Sequence, residues 1–226
     1  MNFKQHSKRL FKNETIKVAI NLGNPVLAKK DENGHLSGIS VNLAKYLADL
    51  MGLKIEWIVY SSAREVVEAS KYETWDIAFL AIDPLRTEHL DYTSPYLMIE
   101  GTYLVRSTSN FKKVEELDRS GVSIAVGRGA AYDLELTRQL KKATLRRVET
   151  TPMAVDAFVK QNLTAAAGIR QPLEDFCASN PEYRVLKNNF MSIRQAVAYS
   201  KRIKAIGSSL ETAVKSYVSH KLNQFL

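Results

Sequence analysis

An α/β fold of two lobes is predicted by three observations. Short apolar runs alternate with amphipathic stretches along the whole chain, the signature of strands and helices in turn. The alternation restarts in the middle of the sequence. No Pro/Gly/Ser-rich linker, low-complexity tract or solenoid-length repeat separates the halves, so the lobes should be joined by short strands.

Ile16–Ile20 reads as the first strand. Ser40–Met51 reads as a helix, because Leu43, Tyr46, Leu47 and Leu50 recur at spacings of three and four. Gly52 stops it, Lys54–Tyr60 supplies the next strand, and Asn33-Gly34 marks a turn. A helix over Arg64–Ser70 and a strand over Asp76–Ile82 complete the first unit. The second begins with a strand over Val122–Val126, the turn Gly127-Arg128-Gly129 and a helix over Ala130–Lys142, with Leu134, Thr137, Arg138 and Lys141 in register. Leu145–Val148, a helix over Pro152–Lys160 capped by Thr151, and the strand Thr164–Gly168 follow. Gln195–Tyr199 is a last strand and Ile203–Val218 a long helix. The lobes expected are 15–100, 101–190 and a return segment 191–226, with crossings near Glu100–Val105 and Met191–Gln195.

Composition sets bounds on function. The 226 residues are 45% hydrophobic and 25% charged, ordinary for a globular protein. No apolar run reaches the roughly 20 residues needed to span a bilayer. The net charge of +8 invites a nucleic-acid reading, but the lysines and arginines are spread out. Small groups occur at Lys4–Lys12, Lys141–Arg147 and Lys201–Lys204, without zinc-finger or basic-aromatic signatures, so no nucleic-acid partner is expected. The lone Cys177 cannot pair within the chain and reads as an inert thiol on a helix. Residues 1–15 have the charge of a signal peptide without its apolar region. The expected location is periplasmic if an export signal has been removed, and cytoplasmic if Met1 is the native start.

Catalytic and metal signatures are sparse. His6, His35, His89 and His220 are scattered, no Gly-x-Ser-x-Gly elbow occurs, and Glu115-Glu116 and Glu174-Asp175 read as solvated faces. No cofactor, metal or catalytic residue is predicted. Residues Trp75–Tyr103 instead carry a strand, a break at Asp83-Pro84, one arginine, Arg86, and a return strand from Gly101. That order suggests an anion-binding loop, since a guanidinium offers a planar fork to a carboxylate.

Four motifs in order over about 200 residues carry a family resemblance. IKVAINLGNPVLAKK with Gly38, Asn42-Leu43-Ala44, Leu47-Ala48 and Gly52-Leu53 resembles the first strand and helix of the family 3 solute-binding proteins of ABC transporters. YTSPY (Tyr92–Tyr96) is similar to their Phe-Ser-x-Pro-Tyr turn, and SIAVGRGAAYD to their second-lobe glycine loop. The resemblance implies the two-lobed type II periplasmic binding-protein fold, each lobe a mixed sheet flanked by helices, closing about hinge strands on a small anionic or zwitterionic solute. It implies a monomer and an ABC permease as partner. Arg86, seven residues before Thr93, stands where the family has its carboxylate-binding arginine. Gly129, Ala130, Ala131 and Tyr132 would add backbone N–H groups, and Ala81 its main chain. Arg128 either adds charge or faces solvent.

The departures bear on ligand identity. Asn21 and Asn24 stand near the family's stacking aromatic, and the loop FLAIDP lacks its hydroxyls. Arg170-Gln171 occupy the place of the acid that holds a ligand ammonium, so a ligand with more than one anionic group, or an amine held by Asp83 or Glu100, is expected. Asp83 also suits a helix cap before Pro84. Alternatives are an enzyme on the same fold, resembling cyclohexadienyl dehydratases, or an effector-sensing module.

Overall fold

The computed structural model describes residues 3–11 and 13–221; Met1, Asn2 and Lys12 of the N-terminal basic stretch, and residues 222–226, lie outside them. The chain forms two compact units, Met1–Leu97 with Arg194–Leu226 and Met98–Ile193. In unit 1 the elements are α1 (Phe3–Leu10), β1 (Thr15–Asn21), the hairpin β2 (Lys29–Lys30) and β3 (Leu36–Ser37), α2 (Ile39–Met51), β4 (Lys54–Tyr60), α3 (Ala63–Ser70), β5 (Ile77–Ala81), α4 (Pro84–Thr87) and β6 (Asp91–Tyr92). The chain leaves on β7 (Leu97–Arg106). Unit 2 continues with β8 (Ser123–Gly127), α5 (Ala131–Gln139), β9 (Thr144–Val148), α6 (Thr151–Lys160), β10 (Ala165–Ile169), α7 (Arg170–Ser179) and β11 (Tyr183–Val185). The return runs along β12 (Met191–Tyr199) into α8 (Gly207–Lys221).

The two units repeat one topology. In unit 1, β4, β1 and β5 are parallel neighbours and β12 lies antiparallel on β5, with β6 beyond it. In unit 2, β9, β8 and β10 are parallel neighbours and β7 lies antiparallel on β10, with β11 beyond it. Each unit therefore ends three parallel strands at one edge, where the strand-to-helix loops gather. Loops at the carboxyl edge of parallel strands are where open α/β sheets bind ligands.

Side-chain alternation gives unit 1 two apolar faces. Ile16, Val18, Ile20, Ile77 and Phe79 pack under α2 and α8 with Leu43, Leu47 and Val214. Ala19, Ala78 and Leu80 face the other way onto Val66 and Trp75. Trp75 is 1% exposed and its indole N–H donates to the Val66 carbonyl at 2.9 Å. Leu104, Ala125, Phe158, Ala166 and Leu173 form a core of unit 2. The strands and α2 follow the predicted periodicities, and Gly52 ends α2 in the left-handed conformation its lack of a Cβ permits (φ 65°).

Three helix expectations need correction. The helix over Ala130–Lys142 stops at Gln139, because the Lys141, Lys142 and Ala143 N–H groups donate to the Asp118 carboxylate at 2.7–3.1 Å. Thr151 is not the cap of α6: Thr150 takes the N-cap position and Thr151 lies in the first turn. Ile203–Val218 is two elements, since Lys201–Ile206 is a 3-10 segment that buries Ile203 and Ile206 at its three-residue repeat. The sequence reading also missed α1. Among the described residues, no helix is long and apolar enough to cross a membrane.

Candidate functional site

In unit 1 Asn21 ends β1 and Asn24 lies in the loop that follows. Each side-chain oxygen closes an Asx turn, Asn21 Oδ1 accepting from Gly23 N at 2.8 Å and Asn24 Oδ1 from Val26 N at 3.1 Å. Their amide NH2 groups take no part in those turns. After β5, Asp83 caps α4 by accepting from Leu85 N at 3.0 Å, with Pro84 in the first turn. Arg86, one turn on, is only 3% exposed and donates from Nη1 to the Ala81 carbonyl at 3.1 Å. Burial lowers its pKa, opposed by the neighbouring Tyr92 and Asp83. A guanidinium at this depth is a poor surface group and a strong anion receptor, because low dielectric strengthens its pairing.

Two polar groups of unit 1 have roles that sequence reasoning did not single out, Tyr92 beside Arg86 and Gln195 opposite Ala81. The Tyr92 hydroxyl is buried without a hydrogen-bond partner, and burial pushes its pKa to about 12 against the lowering effect of Arg86. Gln195 of β12, register partner of Ala81, is 5% exposed, and its Oε1 also lacks a partner. Tyr92 opens the YTSPY motif, but nothing in the sequence marks its burial or that of Gln195, since burial and partner count depend on contacts made across the sheet. Thr93 is buried and internally used, accepting from Val197 N at 3.2 Å and donating to Ser94 O at 3.0 Å. Ser94 is fixed from α8, where Glu211 accepts its N–H at 2.6 Å and its hydroxyl at 2.5 Å.

Unit 2 gathers Gly129–Tyr132, Val148–Thr151 and Ile169–Gln171 at the same edge of its sheet. Gly127 cannot be replaced cheaply, since a Cβ there would meet the Thr151 backbone at 2.9 Å. That approach seats Tyr132, whose hydroxyl donates to Thr151 Oγ1 at 3.0 Å; burial raises its pKa to about 12. The Gly129 N–H donates to Asp133 Oδ2 at 2.8 Å, and Asp133 pairs with Arg147 at 2.8 Å. The N–H groups of Ala131 and Tyr132 open α5 and so have no carbonyl within the helix. Ala130 holds the N-cap position without a side-chain bond. Arg128 is about half exposed and lies 3.6 Å from Glu149.

Arg170 follows β10 and is held within unit 2. Its Nε donates to Glu100, Nη1 to Leu186 O at 3.0 Å and Nη2 to Lys187 O at 2.9 Å, and Glu174 lies 3.5 Å away. Its charge is thus met by two carboxylates, one of them the Glu100 considered above as an amine partner. Gln171 is exposed and donates to Asp175 at 2.9 Å. His89 is exposed, and Cys177 is partly buried with its thiol pKa raised by desolvation. Among the described residues, no group of three His, Cys, Asp or Glu could hold a metal.

Comparison with known proteins places these observations. Residues 16–205 match the model of the bacterial extracellular solute-binding proteins, family 3. The probable amino-acid-binding protein YxeM of Bacillus subtilis (strain 168) is 26% identical over 152 residues, 62% of this chain; the match spans only 57% of that protein. Among solved structures, the ancestral amino acid-binding protein AncCDT-1, a precursor of cyclohexadienyl dehydratase, superposes with a TM-score of 0.80 at 22% identity, covering 95% of this chain and 94% of that one. Holo ArgBP from T. maritima gives 0.79 at 18% identity, with coverage of 97% and 99%. A putative ABC-transporter binding component from Wolinella succinogenes DSM 1740, complexed with lysine, gives 0.80 at 19%, with coverage of 92% and 91%. At such identities the structures establish the shared fold.

Proposed function

This chain belongs to the bacterial extracellular solute-binding proteins, family 3, and on that premise we propose that it captures a small carboxylate-bearing solute, an amino acid or a close relative, for ABC-type uptake. The observation that carries the reading is Arg86, a guanidinium 3% exposed at the carboxyl edge of three parallel strands. It is the principal anchor for the carboxylate. The first-turn N–H groups of α5, at Ala131 and Tyr132, are the second set of donors, and the Asn21 and Asn24 amides add polar selectivity. The relatives support the amino-acid class, since their names record amino acid, arginine and lysine binding. Arg170 takes no part, because its donors are bonded within unit 2. The protein binds without turnover, and an ABC permease is its partner.

The test is a thermal-shift screen of refolded protein against amino acids, dicarboxylates and keto acids. A ligand at about 100 times its dissociation constant stabilises the native state by roughly 2.7 kcal/mol, a readily visible shift. The hit should be recovered unchanged after prolonged incubation. A screen in which nothing moves the melting point, or one whose hit is converted, would refute the reading.

A further inference from the structure

Two of the basic groups marked in the sequence, Lys4–Lys12 and Lys201–Lys204, are brought together by the fold of unit 1. The helix α1 packs against both α2 and the 3-10 segment Lys201–Ile206. Its Ser7 is buried and its Phe3 and Leu10 lean on the core, which leaves Lys4, Lys8 and Arg9 exposed. Lys201, Arg202 and Lys204 are exposed likewise, because Ile203 and Ile206 are the buried positions of their segment. Arg202 ties the two pieces together: its guanidinium bonds to buried Asp76 and lies 5.6 Å from the centre of the Phe11 ring. Residues 1–13 and 200–210 contain no aspartate or glutamate. Glu14 pairs with Lys8 at 2.6 Å and Asp91 lies 3.7 Å from Lys204, but among the described residues Arg9 and Lys201 have no acidic partner. The pKa of Glu14 is lowered by its bond to Lys8 and by the charges of Lys54 and Lys4. Beside this basic face runs a groove of about 460 Å³, lined by Phe3 of α1, Tyr46 and Leu50 of α2, and Ser209, Thr212 and Ser216 of α8. Leu50 is 40% exposed there. The stem of Lys4 lies along the end of α2, where a Cβ on Gly52 would meet its Cε at 2.6 Å.

Cations held this close repel one another, and an open groove with an exposed leucine keeps apolar surface in water. An anionic phospholipid bilayer relieves both costs, since it presents a layer of phosphates directly above an apolar phase. A nucleic acid would supply the anions without the apolar phase, and the face carries no basic-aromatic signature for one. We propose that the face built by α1 and Lys201–Ile206, with the groove beside it, is a docking surface for an anionic phospholipid bilayer. The cations meet headgroup phosphates, and Leu50 and the groove face the acyl boundary. The inference is independent of the solute reading, because it uses none of Arg86, Asn21, Asn24 or the first-turn N–H groups of α5.

The experiment is co-sedimentation of the full chain with vesicles of phosphatidylcholine alone and of an equal mixture with phosphatidylglycerol, at low and at raised salt. Wild type is compared with the double variant Arg9→Gln/Lys201→Gln, with Leu50→Asn, and with Lys141→Gln/Lys142→Gln of unit 2. Wild type should bind the anionic vesicles, leave the neutral ones and be released by salt. Each cation contributes roughly fivefold near a charged bilayer, so Arg9→Gln/Lys201→Gln should weaken binding about 25-fold. Leu50→Asn should weaken it at least about threefold, since membrane affinity scales with apolar area buried. Lys141→Gln/Lys142→Gln removes the same charge outside this face and should cost less than about threefold. All five substituted residues are exposed, so melting curves of the variants should match wild type. Equal binding to both kinds of vesicle, no binding to either, or as large a loss in the unit 2 variant overturns the proposal. Displacement from vesicles by polyglutamate, with Leu50→Asn unchanged, assigns the face to an acidic polypeptide and overturns it too. None of these outcomes touches solute binding, which the thermal-shift screen reads separately.

Discussion

Each unit places an arginine just after its third parallel strand, Arg86 after β5 and Arg170 after β10, yet the two live in different surroundings. Arg170 is bonded to Glu100 and to the carbonyls of Leu186 and Lys187. Arg86 is the more buried, with the Ala81 carbonyl as acceptor and two unsatisfied oxygens, Tyr92 Oη and Gln195 Oε1, in its part of the unit. The contrast extends further. Among the described residues, the buried side-chain oxygens without a hydrogen bond (Ser7, Asp91, Tyr92, Gln195 and Ser200) all belong to unit 1. Closed polar networks stabilise and rigidify, whereas a buried oxygen without a donor costs free energy. One topology thus carries its unpaired buried side-chain oxygens in unit 1, while the corresponding arginine of unit 2 is bonded within its own unit.

The sharpest way to break the comparison is to make the same substitution in both halves. Arg86→Ala is expected to weaken solute binding at least 100-fold, about 3 kcal/mol, since it removes charge-assisted bonds to the carboxylate. Arg170→Ala should leave affinity within about threefold and lower stability by roughly 1–3 kcal/mol. Titration calorimetry and urea unfolding on the two variants decide it; a large affinity loss in Arg170→Ala would erase the distinction.

Next in size, Asp133→Ala should cost about 3 kcal/mol in urea unfolding. It removes the carboxylate from Arg147, which keeps only its bond to Thr137 Oγ1, and takes one acceptor from the Gly129 N–H. A loss below about 1 kcal/mol would mean that unit 2 does not depend on its closed network.

The smallest effect concerns pH. Burial works upward on Glu211, but the bonds from Ser94 and the pairing with Lys215 prevail and hold its pKa below the ordinary value. A depressed folded pKa adds stability above the unfolded value, near 4.5, and that contribution is lost as pH falls through the folded one. The melting-temperature gap between wild type and Glu211→Gln should therefore be widest near about pH 6 and close by about pH 3. A gap that persists in acid would show that the Ser94 tie does not depend on charge.

The frame of this molecule was readable from periodicity, and its site only partly. Strands such as Lys54–Tyr60 declare themselves because polar and apolar residues alternate at their start, from Lys54 to Trp57, and Asp83-Pro84 announces a cap because capping is local chemistry. The fate of Arg170 was hidden because Glu100 is 70 residues away and meets it only when β10 pairs with β7. Gln195 was hidden for the same reason: it reads as one polar position in a strand until β5 and its neighbours bury it. The end of α5 was misjudged because a carboxylate from Asp118, more than 20 residues earlier, competes for the N–H groups that would have extended the helix.

The packing of Trp75 gives the chain an optical asymmetry. The protein has two tryptophans, and Trp57 on β4 and Trp75 above Val66 both lie in unit 1, while unit 2 carries only tyrosines and phenylalanines. Tryptophan emission therefore follows the melting of unit 1 alone, whereas far-ultraviolet dichroism follows the helices of both units. Superimposed on one denaturation axis, the two signals turn a buried indole into a gauge of cooperativity. Coincident curves mean that the halves unfold as one body, and separated curves give each half its own midpoint.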